Sequence, residues 1–171
     1  MAPVFVFGSN THGRHGKGAA LFARQQRGAI YGQGEGLQGN SYAIPTKGQR
    51  QDRVLFTLPL EQIRAGVDRF LAFAASRPEL QFEVTPIGCG HAGYRPAEIA
   101  PMFENAPANC QLPDEFLAYI PGLAGRVNVP AIRFPSRAGR KGGNVASGGV
   151  QAPNADERRA GSAGHAFTQE R

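Results

Sequence analysis

The stretch Gly8-Ser9-Asn10-Thr11-His12-Gly13-Arg14-His15-Gly16-Lys17-Gly18-Ala19-Ala20-Leu21 decides how the chain is read. It follows an apolar run, Val4 to Phe7, that reads as a buried strand, and it leads into a small-residue segment, Gly18 to Gln26, that reads as a helix. Glycines at 8, 13, 16 and 18 remove Cβ atoms where a ligand would approach the backbone. The first N–H groups of the helix then face that ligand with the positive end of the helix dipole, which suits a phosphate. The spacing matches neither the Walker pattern nor the dinucleotide fingerprint, and the same glycines also serve a tight turn and close helix packing.

Working outward, Val4 to Phe7 is apolar at consecutive positions and so predicts an interior strand covered on both faces. Residues 28–39 carry alternating glycines, which predict a second loop without a helix or strand. Ser41 to Lys47 reads as a strand in which Pro45 marks an end or an edge, and residues 48–53 read as polar loop. From Pro59 the positions Leu60, Ile63, Val67, Phe70, Leu71 and Ala74 predict a strong amphipathic helix, stopped by Pro78. Phe82 and Val84 alternate with Gln81 and Glu83 in a further strand that ends in the loop Ile87-Gly88-Cys89-Gly90-His91-Ala92-Gly93-Tyr94. Pro96 opens a helix to about Phe103, and Leu112 to Phe116 closes the compact part.

The order strand, glycine loop, helix, strand, helix, strand, glycine loop, helix implies parallel pairing in a layered α/β fold. Loops leaving the carboxyl ends of such strands share one sheet edge, so the two glycine loops and Lys47 are expected in one cleft.

The length of 171 residues fits one domain plus an appendage. Residues 1–120 form the expected nucleotide-binding domain, residues 121–135 a partly docked extension through Val127, Val129, Ile132 and Phe134, and residues 136–171 a disordered basic tail. The formal net charge of +6 is concentrated in that tail, since residues 1–120 hold 11 Lys and Arg against 10 Asp and Glu. The tail has one short cluster, Arg137 to Lys141, and no interleaved aromatics, so it predicts at most weak, salt-sensitive contact with nucleic acid. Two cysteines, Cys89 and Cys110, form no disulfide framework and no C-x-x-C pair. With no apolar run of spanning length and no leader pattern, the expectation is a soluble, cytoplasmic protein with no membrane partner.

Three motifs in order, Gly16-Lys17-Gly18-Ala19-Ala20-Leu21-Phe22-Ala23, Tyr42-Ala43-Ile44-Pro45-Thr46-Lys47 and Ile87-Gly88-Cys89-Gly90-His91-Ala92-Gly93, resemble the macro-domain superfamily. The likeness is to the branch holding the terminal ADP-ribose protein glycohydrolase and the ADP-ribose-1″-phosphate phosphatase, and to small bacterial and phage proteins with the same motifs. It spans residues 3–116 and implies a layered α/β/α domain with a mixed sheet and a cleft for ADP-ribose. The Gly16 to Ala20 segment would lie against the diphosphate and distal ribose, with Gly88 to Gly93 closing over the phosphates. The glycohydrolase likeness would make Lys47 a nucleophile, but Ala92 stands where that enzyme carries its catalytic Asp. The Gly-Asp-Ile segment that holds adenine in macro domains has no counterpart before Val4.

The expected ligand residues are Asn10, Gly13, His15, Gly16, Gly18, Ala19, Thr46, Gly88, Cys89, Gly90, His91, Ala92, Gly93 and Tyr94, with Lys47, Glu35 and His91 as candidate catalytic groups. The reading is a binding module for ADP-ribose or a related nucleotide, with an ADP-ribosylated protein as a further partner and no cofactor. The alternative is a hydrolase that removes ADP-ribosyl groups or the 1″-phosphate; it needs a general acid or base, and Glu35 is the one acid in the glycine-rich segments. Cys89 reads as a packed thiol rather than a nucleophile paired with His91, and His12, His15, His91 and Cys89 lack the spacing of a metal site.

Overall fold

A computed structural model describes residues 2–125; the candidate docking residues Val127, Val129, Ile132 and Phe134 and the tail lie outside the described residues. In order, the elements are β1 (Val4–Asn10), α1 (Gly18–Gln26), β2 (Gly36–Gln38), β3 (Ser41–Gln49), β4 (Leu55–Thr57), α2 (Leu60–Ser76), β5 (Phe82–Val84), α3 (Pro96–Ile99), β6 (Cys110–Gln111) and α4 (Asp114–Leu117). Tight 3-10 turns cover Ala100–Phe103 and Pro121–Leu123.

The sheet is mixed, with strand order β2-β3-β1-β5-β6 and β4 also paired to β3. β1 lies parallel to β3 and β5, and β5 parallel to β6, whereas β2 and β4 run antiparallel to β3. Successive residues of β1 serve opposite faces, as the pleat requires. Val4 and Val6 join a core with Ile63, Val67 and Phe70 of α2, while Phe5 and Phe7 join a second cluster with Ala23 of α1. The expected burial of β1 on both faces is therefore observed. Full burial of each large apolar chain on the α2 stripe contributes about 1.5–3 kcal/mol, so α2 is held by its packing and not by a cap.

Pro45 lies inside β3, not at its end. β2 pairs with Ser41 to Ala43 and β4 with Lys47 to Gln49, so Pro45 falls between the two outer pairings. Opposite it, the β1 register shifts between Ser9 and Asn10. A residue without an N–H is tolerated at such an irregularity, which is why the strand continues to Gln49.

Three further differences from the sequence reading have local causes. Residues 28–39 are not all loop, because the buried Gln38 accepts from Ile30 N at 2.7 Å and donates to Gln33 O at 3.1 Å, which seats β2 on β3. The polar loop after Lys47 is the turn of a hairpin into β4, closed by Arg50 N to Val54 O at 2.9 Å and by Asp52 accepting from Val54 N. The helix from Pro96 tightens into a 3-10 turn at Ala100, where Pro101 has no amide to continue an α-helical ladder.

The C-terminal end of α2 is tied down by Asn109, whose Nδ2 lies 2.9 to 3.0 Å from the carbonyls of Ala74, Arg77 and Leu80. Asn109→Asp replaces this donor with an acceptor facing three carbonyls, that of Ala74 buried and those of Arg77 and Leu80 partly so. It is expected to cost about 2–3 kcal/mol in urea denaturation, and a midpoint unchanged from the parent would show that these bonds are not holding the helix end.

Candidate functional site

Because β1, β3 and β5 are parallel, their carboxyl ends share one edge, and the segments that follow them meet there. The backbone binds the ends of β1 and β3 together, with Thr11 N donating to Lys47 O at 2.9 Å and Thr46 Oγ1 donating to Ser9 O at 3.3 Å. The loop after β5 reaches the same edge. Gly88 N lies 3.6 Å, and Thr46 Oγ1 3.4 Å, from the position a Cβ on Gly8 would take.

Loop 11–17 leads into α1 with Lys17 at the N-cap; no side chain caps this helix and its first turn holds no acid. Gly16, Lys17 and Gly18 are exposed, and Ala19 is half-buried. His91, exposed on the β5 loop, approaches this helix start, with its Nε2 3.6 Å from the point where a Gly18 Cβ would stand. The first and third glycine segments therefore meet at the N-terminus of α1.

The β5 loop is a folded turn. Cys89 N bonds Pro86 O, Gly93 N bonds Gly90 O at 3.1 Å and Tyr94 N bonds Gly88 O at 3.0 Å. Tyr94 Oη donates to Leu58 O at 2.8 Å, and Thr57 Oγ1 donates to Ala92 O at 3.0 Å, so β4 and the link from it to α2 brace this loop. Thr57 was not anticipated as a brace, because nothing in a polar residue near Pro59 distinguishes it from a solvated one.

Asn10 is spent on the loop itself, its Oδ1 accepting from His12 N at 3.1 Å and Arg14 N at 3.2 Å. His15 is fully buried, with Nε2 3.0 Å from Gln33 O and its ring edge-on to Phe7 at 5.1 Å. The structure thus places His15 beneath loop 28–35, with its Nδ1 buried and unpartnered. Gly13 is buried against the same loop, bonded through its carbonyl to Gly32 N at 3.0 Å.

Glu35 faces α2. Its Oε1 pairs with Arg69 Nε at 2.7 Å, and both residues line a cleft of about 240 Å³ with Thr11, Pro45, Leu58, Gln62 and Ala65. Arg69 was missed by the sequence reading; the one signal for it is the spacing of Gln62, Ala65 and Arg69 on a single helical face. Lys47 is half-buried beside Asn10 in the β1–β3 register.

Burial pushes the half-buried Cys89 thiol up to about 11, helped by the negative fields of Glu115 and Glu98. At pH 8 only about one such thiol in a thousand is a thiolate. Iodoacetamide at that pH is therefore expected to label Cys89 far more slowly in the folded chain than after denaturation, as read by peptide mass spectrometry. Rapid labelling of the folded protein at neutral pH would contradict this. Among the described residues, no group of three or more His, Cys, Asp and Glu is placed to hold a metal ion, and no helix is long and apolar enough to cross a membrane.

The chain is an α/β protein with a mixed sheet. No family model matches it and no curated protein matches it. Among solved structures it is similar to a protein of unknown function from Bacteroides thetaiotaomicron, with 15% identity, a TM-score of 0.40 and coverage of 62% of this chain and 82% of the other.

Proposed function

We propose that this chain is a macro-like binding module for ADP-ribose or a related nucleotide, held where the α1 N-terminus meets the β5 loop. The carrying observation is the uncapped start of α1, free of acids, with His91 set against Gly18. In this reading the N–H groups of Gly18 and Ala19 take the phosphates and the Gly88 to Gly93 turn closes over them. Two observations favour binding over turnover. Glu35 is already paired with Arg69, and the Cys89 thiol is held protonated by its burial. Lys47 then supplies charge beside the ligand, and an ADP-ribosylated protein is a natural carrier of that ligand.

Calorimetry of the full chain with ADP-ribose, its 1″-phosphate, NAD and AMP tests the reading. Binding is expected for ADP-ribose, weakened by less than about tenfold in Lys47→Ala, since a partly solvated charge contributes about 1 kcal/mol. Absence of binding to all four would overturn it. Release of ADP-ribose from an ADP-ribosylated glutamate peptide, lost in Lys47→Ala, would instead establish the hydrolase.

A further inference from the structure

Beyond Lys17 and Lys47, which stand at the proposed nucleotide site, the rim of this sheet edge carries charge and aromatic surface that nucleotide binding does not use. Segments 11–18, 47–57 and 88–95 hold six Lys and Arg residues against one acid, Asp52. Arg95 pairs with Glu98, but Arg14, Lys17, Lys47, Arg50 and Arg53 make no ion pair among the described residues. Five positive charges gathered at one edge, with Asp52 the one acid in these segments, set up a field that a polyanion would complete.

These residues lie along a path that the chain makes continuous. Tyr31 stands on the 28–35 loop, which is bonded to loop 11–17 through Gly32 N and Gly13 O at 3.0 Å. Loop 11–17 runs through Lys17 to Gly18, which adjoins His91. The next residue, Ala92, accepts from Thr57 Oγ1 at 3.0 Å, and Thr57 follows Phe56 on β4. Phe56 covers Gly48, where a Cβ would stand 2.7 Å from its Cε1, and the Arg50 guanidinium lies 5.9 Å from the ring centroid.

Both ends of the path are exposed aromatics, Tyr31 at 61% and Phe56 at 38%. Phe56 is already packed over Gly48 with the Arg50 guanidinium beside its ring, which leaves it less freedom to lose on contact with a ligand.

We propose that this rim binds single-stranded nucleic acid, the phosphates following Lys17, Lys47, Arg50 and Arg53 and the bases stacking on Tyr31 and Phe56. Charge alone would fit an acidic peptide equally well, but such a peptide leaves the two rings uncovered, whereas every nucleobase offers a π-face. A duplex offers phosphates but hides those faces in its own stack. The surface is built from residues 17–57 of the described domain and uses no residue of the basic tail, and of its members Lys17 is the N-cap of α1.

Fluorescence anisotropy of the full chain with a labelled deoxythymidine strand of about 12 nucleotides, a length suited to such grooves, tests the proposal as salt is raised. In Arg50→Glu/Arg53→Asn, affinity is expected to fall more than about tenfold and the slope of log K on log salt to flatten by about 1.4, two single-strand phosphate contacts' worth. Asn tolerates the left-handed conformation of Arg53, whose φ is 67°, so this position keeps its turn. Tyr31→Ser is expected to weaken binding about fivefold or more with the slope unchanged, because it removes stacking and no charge. ADP-ribose affinity is expected to stay at the parent value in both variants, which separates this surface from the nucleotide site. The proposal is overturned if the strand does not bind, if both variants bind it like the parent, if polyglutamate competes equally well, or if a duplex of the same length binds as tightly.

Discussion

Gly34→Ala is expected to destabilise the domain by about 3 kcal/mol, the upper range for forcing atoms into a packed region, and to remove nucleotide affinity with it. A Cβ on Gly34 would stand 2.5 Å from Asn10 O and 2.6 Å from Thr11 O. Both contacts are backbone, which cannot rotate away as a side-chain end does. Gly34 is not in the left-handed region, so the penalty is steric and carries no conformational strain. Its carbonyl also accepts a hydrogen bond from Ser9 Oγ, so displacing it disturbs the end of β1 and the loop held by Asn10. In thermal unfolding the loss corresponds to a fall of roughly 10–20 °C for a domain of this size. Gly90→Ala is the control: nothing lies within 4 Å of its Cβ position, and a change within about 0.5 kcal/mol is expected. Equal melting temperatures for the two variants would mean that loop 28–35 is not wedged against β1 as the structure places it.

That wedge shows what the sequence could carry and what it could not. The run Val4 to Phe7, the small-residue helix Gly18–Gln26 and the stripe on α2 each state their element through local period, and each forms as read. The meeting of the first and third glycine segments was also legible, because parallel order alone sends both to one edge. β2 and β4 were not legible. Each is three residues long, too short for a period, and each exists through its pairing with β3. His15 shows the same limit at the level of a side chain: a histidine between glycines reads as a ligand contact, and its burial against Phe7 and Gln33 depends on residues 8 and 18 positions away in sequence. The partner of Glu35 comes from α2, 34 positions on, and no local pattern joins them.

At the helix start, Gly18→Asp and Gly18→Asn are expected to part in affinity while both remain folded. Gly18 has φ 54°, which glycine adopts freely and which Asn and Asp tolerate better than other residues. The Cβ of either would meet His91 Nε2 at 3.6 Å, an ordinary van der Waals contact. The two side chains share shape and strain and differ in charge. The new carboxylate sits at the positive end of a helix that has no acid in its first turn, so Gly18→Asp gains about 0.3–1 kcal/mol of stability over Gly18→Asn. The same charge stands where the phosphates are proposed to bind. At about 5 Å from a phosphate, with a dielectric near 20 and partial screening at an exposed position, repulsion of about 1.5–3 kcal/mol is expected. ADP-ribose affinity should therefore be about ten- to a hundredfold lower in Gly18→Asp than in Gly18→Asn, although the Asp variant is the more stable protein. Calorimetry and thermal unfolding on the pair read the two effects separately, and salt should narrow the affinity gap. Equal affinities in two folded variants would move the phosphates away from the α1 N-terminus and return its glycines to turn and packing duty.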